Sequence, residues 1–434
     1  MKNKPSDKAC VSRRDLFYVS GFDPKGASHY HALYREQAAR QSALTGQPIA
    51  VGKRGRNPSG NPVWAVDSVE HGTAVHTGVE FLRWDDIVRN NWPKGHFQLW
   101  RDIAATTLFN LRHGGLWRML AMSWPPVVAL FGPFLWLCSM LLGIPLAVWG
   151  SALLGHALGV PWGTGIGAVL GLAAAGWVAR WLEQRFGMYW LMRSYAFTAR
   201  QAQGQTPELE ERLEQHARTL VARVAQAAEE ETGLTQDPLC AQRATQRMPR
   251  KSYEILVVGH SSGAIMAASI VARALRLDPQ LCQHGPVLSL LTLGHCIPML
   301  ACLPQAISFR AELQTLGTAT GLDWLDFSAP PDACCFALVD PLQSLPGDAA
   351  TEAARLPDRP KLLSPRFAQM FDAAQYAPLR RDKFRIHFQY LMASQQVVDY
   401  DYFAITAGAQ TLAQRFAHLP SDDNFTGLQI FKRS

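Results

Sequence analysis

Charge disappears from the chain between Arg118 and Arg180. Residues 119–179 contain no Lys, Arg, Asp or Glu, a run of 61 positions in which His156 and Cys138 are the only ionisable side chains. A membrane-spanning helix needs about 20 predominantly apolar residues, so the run predicts two spans joined by a turn, at about residues 124–149 and 160–182. Pro125, Pro126, Pro133 and Pro145 start or bend the first, which membrane helices tolerate. Gly163, Gly165, Gly167 and Gly171 give the second a small-residue face suited to close packing on its partner. Trp124, Trp136, Trp149, Trp162, Trp177 and Trp181 mostly lie near the proposed ends, as interfacial aromatic residues do.

Outside this run the periodicity changes. Residues 96–118 set Phe97, Leu99, Trp100, Ile103, Leu108, Leu111 and Leu116 among arginines, the pattern of a helix lying in the membrane interface. Residues 207–231 are charged, with Leu209, Leu213, Leu220, Val221 and Val224 at helical spacing, and predict a soluble amphipathic helix. Residues 236–250 predict a loop. Short apolar runs at 16–20, 255–258 and 287–293, and the run 324–329, read as buried strands; 48–52 and 62–69 read as strands around a Pro/Gly/Asn turn. Residues 30–40 and 264–275 read as helices. Arg101, Arg112 and Arg118 precede the first span and Arg180, Arg185, Arg193 and Arg200 follow the second, while the connection carries no Lys or Arg. By the positive-inside rule both flanks face the cytoplasm, so the parts on either side can fold together.

Between the strand at 255–258 and the helix that follows stands Gly259-His260-Ser261-Ser262-Gly263. A G-x-S-x-G at a strand-to-helix turn is a nucleophile elbow, with glycines where the chain is tightest and the serine lifted above the sheet edge. Here the chain resembles the α/β-hydrolase superfamily, and the GHSSG spelling is closest to its lipases and esterases. The resemblance implies an α/β fold with a mostly parallel sheet flanked by helices, into which the membrane hairpin is inserted. It divides the chain into residues 1–96, an insertion at 97–250, and residues 251–434. Ser261 becomes the nucleophile. The loop Gly21-Phe22-Asp23-Pro24-Lys25-Gly26 occupies the place of the oxyanion loop, so the backbone N–H groups of Phe22, or Asp23, and of Ser262 would hold the oxyanion. The chain order Ser, Asp, His puts the acid at Asp332, just past a strand, with Asp326 and Asp340 as competitors. The base must follow it, and only His387 and His418 do; His387, in the strand-like Phe384-Arg385-Ile386-His387-Phe388-Gln389-Tyr390-Leu391, is preferred. His260 points away from a tight turn and reads as a support for the elbow. His29 and His31, after the oxyanion loop, are candidates to line the pocket. Asp85-Asp86 reads as a solvated helix start, and Asp399-Tyr400-Asp401-Tyr402 as structural.

Composition narrows the picture further. The chain of 434 residues is 48% hydrophobic and only 18% charged, and its apolar surplus is the local run already described. Eight cysteines show neither C-x-x-C nor regular spacing, which predicts no zinc site and no disulfide framework and suits a reducing compartment. The net charge of +7 has no basic stripe interleaved with aromatic residues, so nucleic acid is not the expected partner. The polar, basic amino-terminal stretch has no apolar core of the kind a cleaved signal needs. These readings converge on a membrane-anchored serine hydrolase of a bacterial inner membrane, its catalytic domain cytoplasmic, cleaving a lipid acyl ester with no metal or other cofactor. A thioesterase or acyltransferase would use the same residues. The alternatives from other classes are an inactive, membrane-anchored interaction protein and a toxin-like lipase.

Overall fold

The computed structural model describes residues 10–92, 95–159, 161–236, 251–283, 285–344 and 354–430. Among the described residues nine strands form one mixed sheet: β1 (Cys10–Val19), β2 (Ile49–Val51), β3 (Gly55–Arg56), β4 (Pro62–Glu70), β5 (Thr73–Phe81), β6 (Lys251–His260), β7 (Val287–Leu293), β8 (Leu322–Phe327) and β9 (Lys361–Leu363). The order across the sheet is β2-β4-β5-β1-β6-β7-β8-β9, with β3 beside β4. From β5 to β9 all neighbours run parallel, and β2, β3 and β5 pair antiparallel with β4.

Strand alternation sorts the core onto two faces. Phe17, Val19, Ile255, Val257, Leu288 and Leu290 pack with residues of the helices Pro207–Gln236, Gly263–Leu277 and Ile307–Thr318. Leu16, Tyr18, Leu256, Val258, Leu291 and Leu293 pack on the other face with Tyr30 and Tyr34 of the helix Gly26–Thr45 and with carboxyl-terminal residues such as Tyr390 and Phe403. A buried ion pair crosses this apolar centre. Arg14 and Glu254, both fully buried, form an ion pair at 2.7 Å. The remaining Arg14 donors reach the carbonyls of Gly408 and Gln410, and Glu254 also accepts from Ser289 and the Leu412 N–H. Each nitrogen and oxygen of the pair is thereby engaged, and removing one partner would strand a charge at a cost of about 3–5 kcal/mol.

The chain leaves the sheet after β5 and returns at β6, on the other side of β1. The described residues of this excursion are mainly helical: His96–Arg112, Gly115–Met122, Trp124–Ala157, Gly163–Phe186, Met188–Ala202 and Pro207–Gln236. Trp124–Ala157 is long and apolar enough to cross a membrane, and it is the one helix among the described residues that meets that measure. Gly163–Phe186 packs along it: a Cβ on Gly167 would stand 2.0 Å from the Ser151 carbonyl oxygen, and one on Gly171 2.7 Å from that of Ala147. The close approach expected of the small-residue face is present. The expected pair of membrane spans reduces to one qualifying helix, because the second is diluted by glycine and carries Arg180, Glu183 and Arg185.

The helix begins at Trp124, as expected, but its first turns are packed against protein. Val127 and Leu130 pack on Met299, Cys302 and Phe336, and Trp136 and Leu137 pack on Leu99, Ile103 and Met192. Trp136 is therefore a core residue and no part of an aromatic belt. Beyond it Leu141, Leu142, Leu146, Trp149 and Leu154 are exposed, as are Val169, Leu170, Leu172 and Trp177 on the returning helix. Residues 138–157 rise about 30 Å as helix, the thickness of a bilayer core. Helix His96–Arg112 likewise departs from a purely interfacial role, since Leu99 and Ile103 are buried against protein.

Candidate active site

Strand β6 ends at His260 and the helix Gly263–Leu277 begins three residues later. Ser261 between them has φ +60°, a left-handed conformation that a residue with a side chain adopts only under constraint. Its N–H donates to the Leu293 carbonyl at 2.9 Å, so the end of β7 fixes the turn. Both flanking glycines are required by contact. A Cβ on Gly259 would lie 2.6 Å from the Gly263 oxygen, and one on Gly263 would lie 2.4 Å from that of Val19.

Asp332 follows β8 and is buried. Its Oδ2 accepts from His387 Nδ1 at 2.8 Å and from the Tyr390 hydroxyl at 3.2 Å, and its Oδ1 accepts the Cys334 N–H at 3.0 Å. Burial would raise its pKa, but His387 and these hydrogen bonds outweigh burial and hold it below the usual carboxylate range. An ionised Asp332 can only accept, so Nδ1 of His387 carries a proton, and in the neutral imidazole Nε2 is then the acceptor, the tautomer a general base needs.

His387 lies in the helix Lys383–Phe388, where the alternation Phe384, Ile386, Phe388 had predicted a strand. Asp382 caps this helix by accepting the Arg385 N–H, a local signal that overrides the period of two. The helix turns His387 inward, and it is buried. Its carbonyl accepts from His260 Nε2 at 2.8 Å. His260 thus ties the elbow to the base, and burial, with His387 beside it, lowers its pKa to about 3.

The competitors are engaged elsewhere. Asp340 pairs with Arg355, and Asp326 accepts from Thr292 and Ser328 inside the sheet. His418 is exposed beside Asp399. His31 bonds the Gly52 carbonyl and His29 packs on Tyr30. Asp85, expected to be solvated, is buried and paired with Arg83 and Arg89.

The oxyanion side departs from expectation. The Phe22 N–H donates to Ser262 Oγ at 2.8 Å, and the Asp23 N–H turns back to the Gly21 carbonyl at 2.7 Å. Neither loop amide is open to a developing oxyanion in this arrangement, because the hydroxyl next to the nucleophile takes the Phe22 donor. The loop is also gripped from outside. Trp190, from the helix Met188–Ala202, donates its indole N–H to the Phe22 carbonyl at 2.6 Å. The Phe22 ring packs among Trp84, Trp92 and Phe197. Trp190 in turn contacts Phe384, three residues before His387, with ring centroids 5.1 Å apart.

Ser261 Oγ has Cys296 Sγ as its neighbour at 3.9 Å and makes no hydrogen bond to His387; such contacts commonly tighten only when substrate binds. Cys296 stands just past β7, at the carboxyl end of a strand parallel to the one bearing the elbow, a placement visible in sequence. Tyr390 and Trp190 had no such signal, since both act through long-range packing. Asp332, Cys334 and His387 offer donor atoms within 4.8 Å of one another, a set that could hold a metal ion. Burial and nearby Asp332 push the Cys334 thiol well up, and Asp332 and His387 already satisfy each other. Comparison with protein-family models, curated proteins and solved structures finds no match to this chain.

Proposed function

We propose that the chain is a membrane-anchored serine hydrolase of the α/β-hydrolase type, acting on a lipid acyl ester. The observation that carries this reading is the strained Ser261 at a strand–helix turn, in a site where a buried Asp332 fixes the tautomer of His387. Ser261 Oγ would attack the acyl carbonyl while His387 Nε2 takes its proton and then delivers it to the leaving alkoxide. Water would then cleave the acyl-enzyme by the same route. The Ser262 N–H, with the Phe22 N–H once Ser262 Oγ yields it, would hold the oxyanion. The scheme uses no cofactor. The exposed apolar helix favours a substrate that resides in the bilayer, and the arginines on its flanks favour a cytoplasmic catalytic domain at a bacterial inner membrane.

Fluorophosphonate labelling of detergent-solubilised protein tests the chemistry. Wild type should label, Ser261→Ala should not, and His387→Ala should label far more slowly. A folded wild type that fails to label favours the second reading, a catalytically silent membrane module, for which the occupied Phe22 N–H is the supporting observation. Equal turnover of short soluble esters and bilayer lipids would argue against a lipid substrate.

A further inference from the structure

The helices His96–Arg112 and Met188–Ala202 enclose an open pocket of about 480 Å³ whose lining includes none of Ser261, Asp332 and His387. Three arginines line it, Arg101, Arg112 and Arg200, against a single carboxylate, Asp102. Asp102 lies 3.3 Å from Arg101. Arg112 has no ion pair among the described residues. Arg200 bonds Asn91 through Nη1 at 3.1 Å, while its Nε is buried without a hydrogen-bond partner. Burial lowers the Arg200 pKa, with only Asp102 opposing. A buried donor without an acceptor and surplus positive charge are both relieved by one anion.

The surroundings say where that anion comes from. Along the pocket's rim on the same helix Phe97 is 81% exposed, and Leu108, which also lines the pocket, and Leu111 are exposed; with Arg101 they share one face at helical spacing. Trp117 is exposed on the next helix, and the chain then enters the apolar helix Trp124–Ala157. An apolar stripe edged by arginine, continuous with a membrane-crossing segment, lies at the level of lipid head groups.

We propose that this pocket binds the phosphate of an anionic membrane lipid, with Arg101, Arg112 and Arg200 supplying the charge. The inference rests on the membrane placement proposed above and is independent of the hydrolytic chemistry. The test uses the full-length Ser261→Ala protein in uncharged detergent, so that no bound lipid is consumed. Its thermal unfolding is titrated with dioctanoyl phosphatidylglycerol, dioctanoyl phosphatidylcholine and inorganic phosphate. Phosphatidylglycerol should raise the Tm saturably and the other two should not. The double variant Arg101→Gln/Arg112→Gln should keep its ligand-free Tm and lose at least about tenfold in apparent affinity, the effect of one charge-assisted contact. Equal stabilisation by phosphatidylcholine, or an unchanged affinity in the double variant, overturns the proposal. Inorganic phosphate acting at the same concentration as phosphatidylglycerol overturns the lipid as the source. Alkaline carbonate extraction of cell membranes tests the placement separately: a chain released into the supernatant removes the basis of the inference, whatever its labelling by fluorophosphonate.

Discussion

Asp332 and His387 sit in a closed network in which the carboxylate spends both oxygens on named donors and the imidazole is held through Nδ1 and through its own carbonyl. Phe22 and Ser262, across the same serine, are held just as firmly but in another state, with the donor proposed for the oxyanion given to a neighbouring hydroxyl. On the proposed mechanism the acid and base are already held together and lack only the contact of His387 with Ser261, whereas the oxyanion half has to exchange one hydrogen bond first. The difference matters because preorganised donors act where charge develops without reorganising during the reaction, whereas an occupied donor adds a step.

The largest effect falls on the finished half. Asp332→Asn should keep the fold and lower the fluorophosphonate labelling rate by about 10⁴-fold, because the amide stabilises the wrong imidazole tautomer; a loss below tenfold would mean that the network is structural. Ser262→Ala acts on the other half and should raise the labelling rate by about fivefold, the worth of one neutral hydrogen bond of about 1 kcal/mol that no longer competes for the Phe22 N–H. A fall instead would make the hydroxyl a support for the loop, and the contrast between the halves would vanish. Trp190→Phe removes the indole donor and keeps the ring; the rate should fall by about two- to fivefold with little change in Tm.

The smallest effect is on acid stability. His260 is buried neutral, so its folded pKa of about 3 lies below the 6.5 of the free side chain. The unfolded chain binds the extra proton, and stability is full above about 6.5 and declines as pH falls from there towards about 3. His260→Gln, whose amide can still reach the His387 carbonyl, should flatten the fall in Tm between pH 7 and pH 5.

What could be read from the sequence was local. The run from Tyr253 to Ala274 announces a strand, a turn and a helix, and the glycines on either side of Ser261 are explained by contacts their own spacing forces. Asp332 was legible because it follows a buried apolar strand. Strand β5 was not, since Thr73, His76, Thr77 and Glu80 break its apolar run, and its place beside β1 is decided by pairing. The helix around His387 was misread because six residues are too few to separate a period of 3.6 from one of two. The burial of Trp136 and the Phe22–Ser262 bond depend on residues far apart in the chain, and no window along the sequence contains both partners.

The position of β1 at the centre of the sheet sets an order of events. It pairs with β5 on one side soon after it is made, while its other neighbour, β6, follows roughly 230 residues later, beyond the whole helical excursion. At synthesis rates of about 5–20 residues per second, the middle of the sheet stays an open edge for on the order of ten seconds or more, with the long apolar helix already made. The half-made chain is therefore an aggregation hazard in a way the finished molecule is not, and its yield in any host should depend on how quickly the ribosome carries it past that interval.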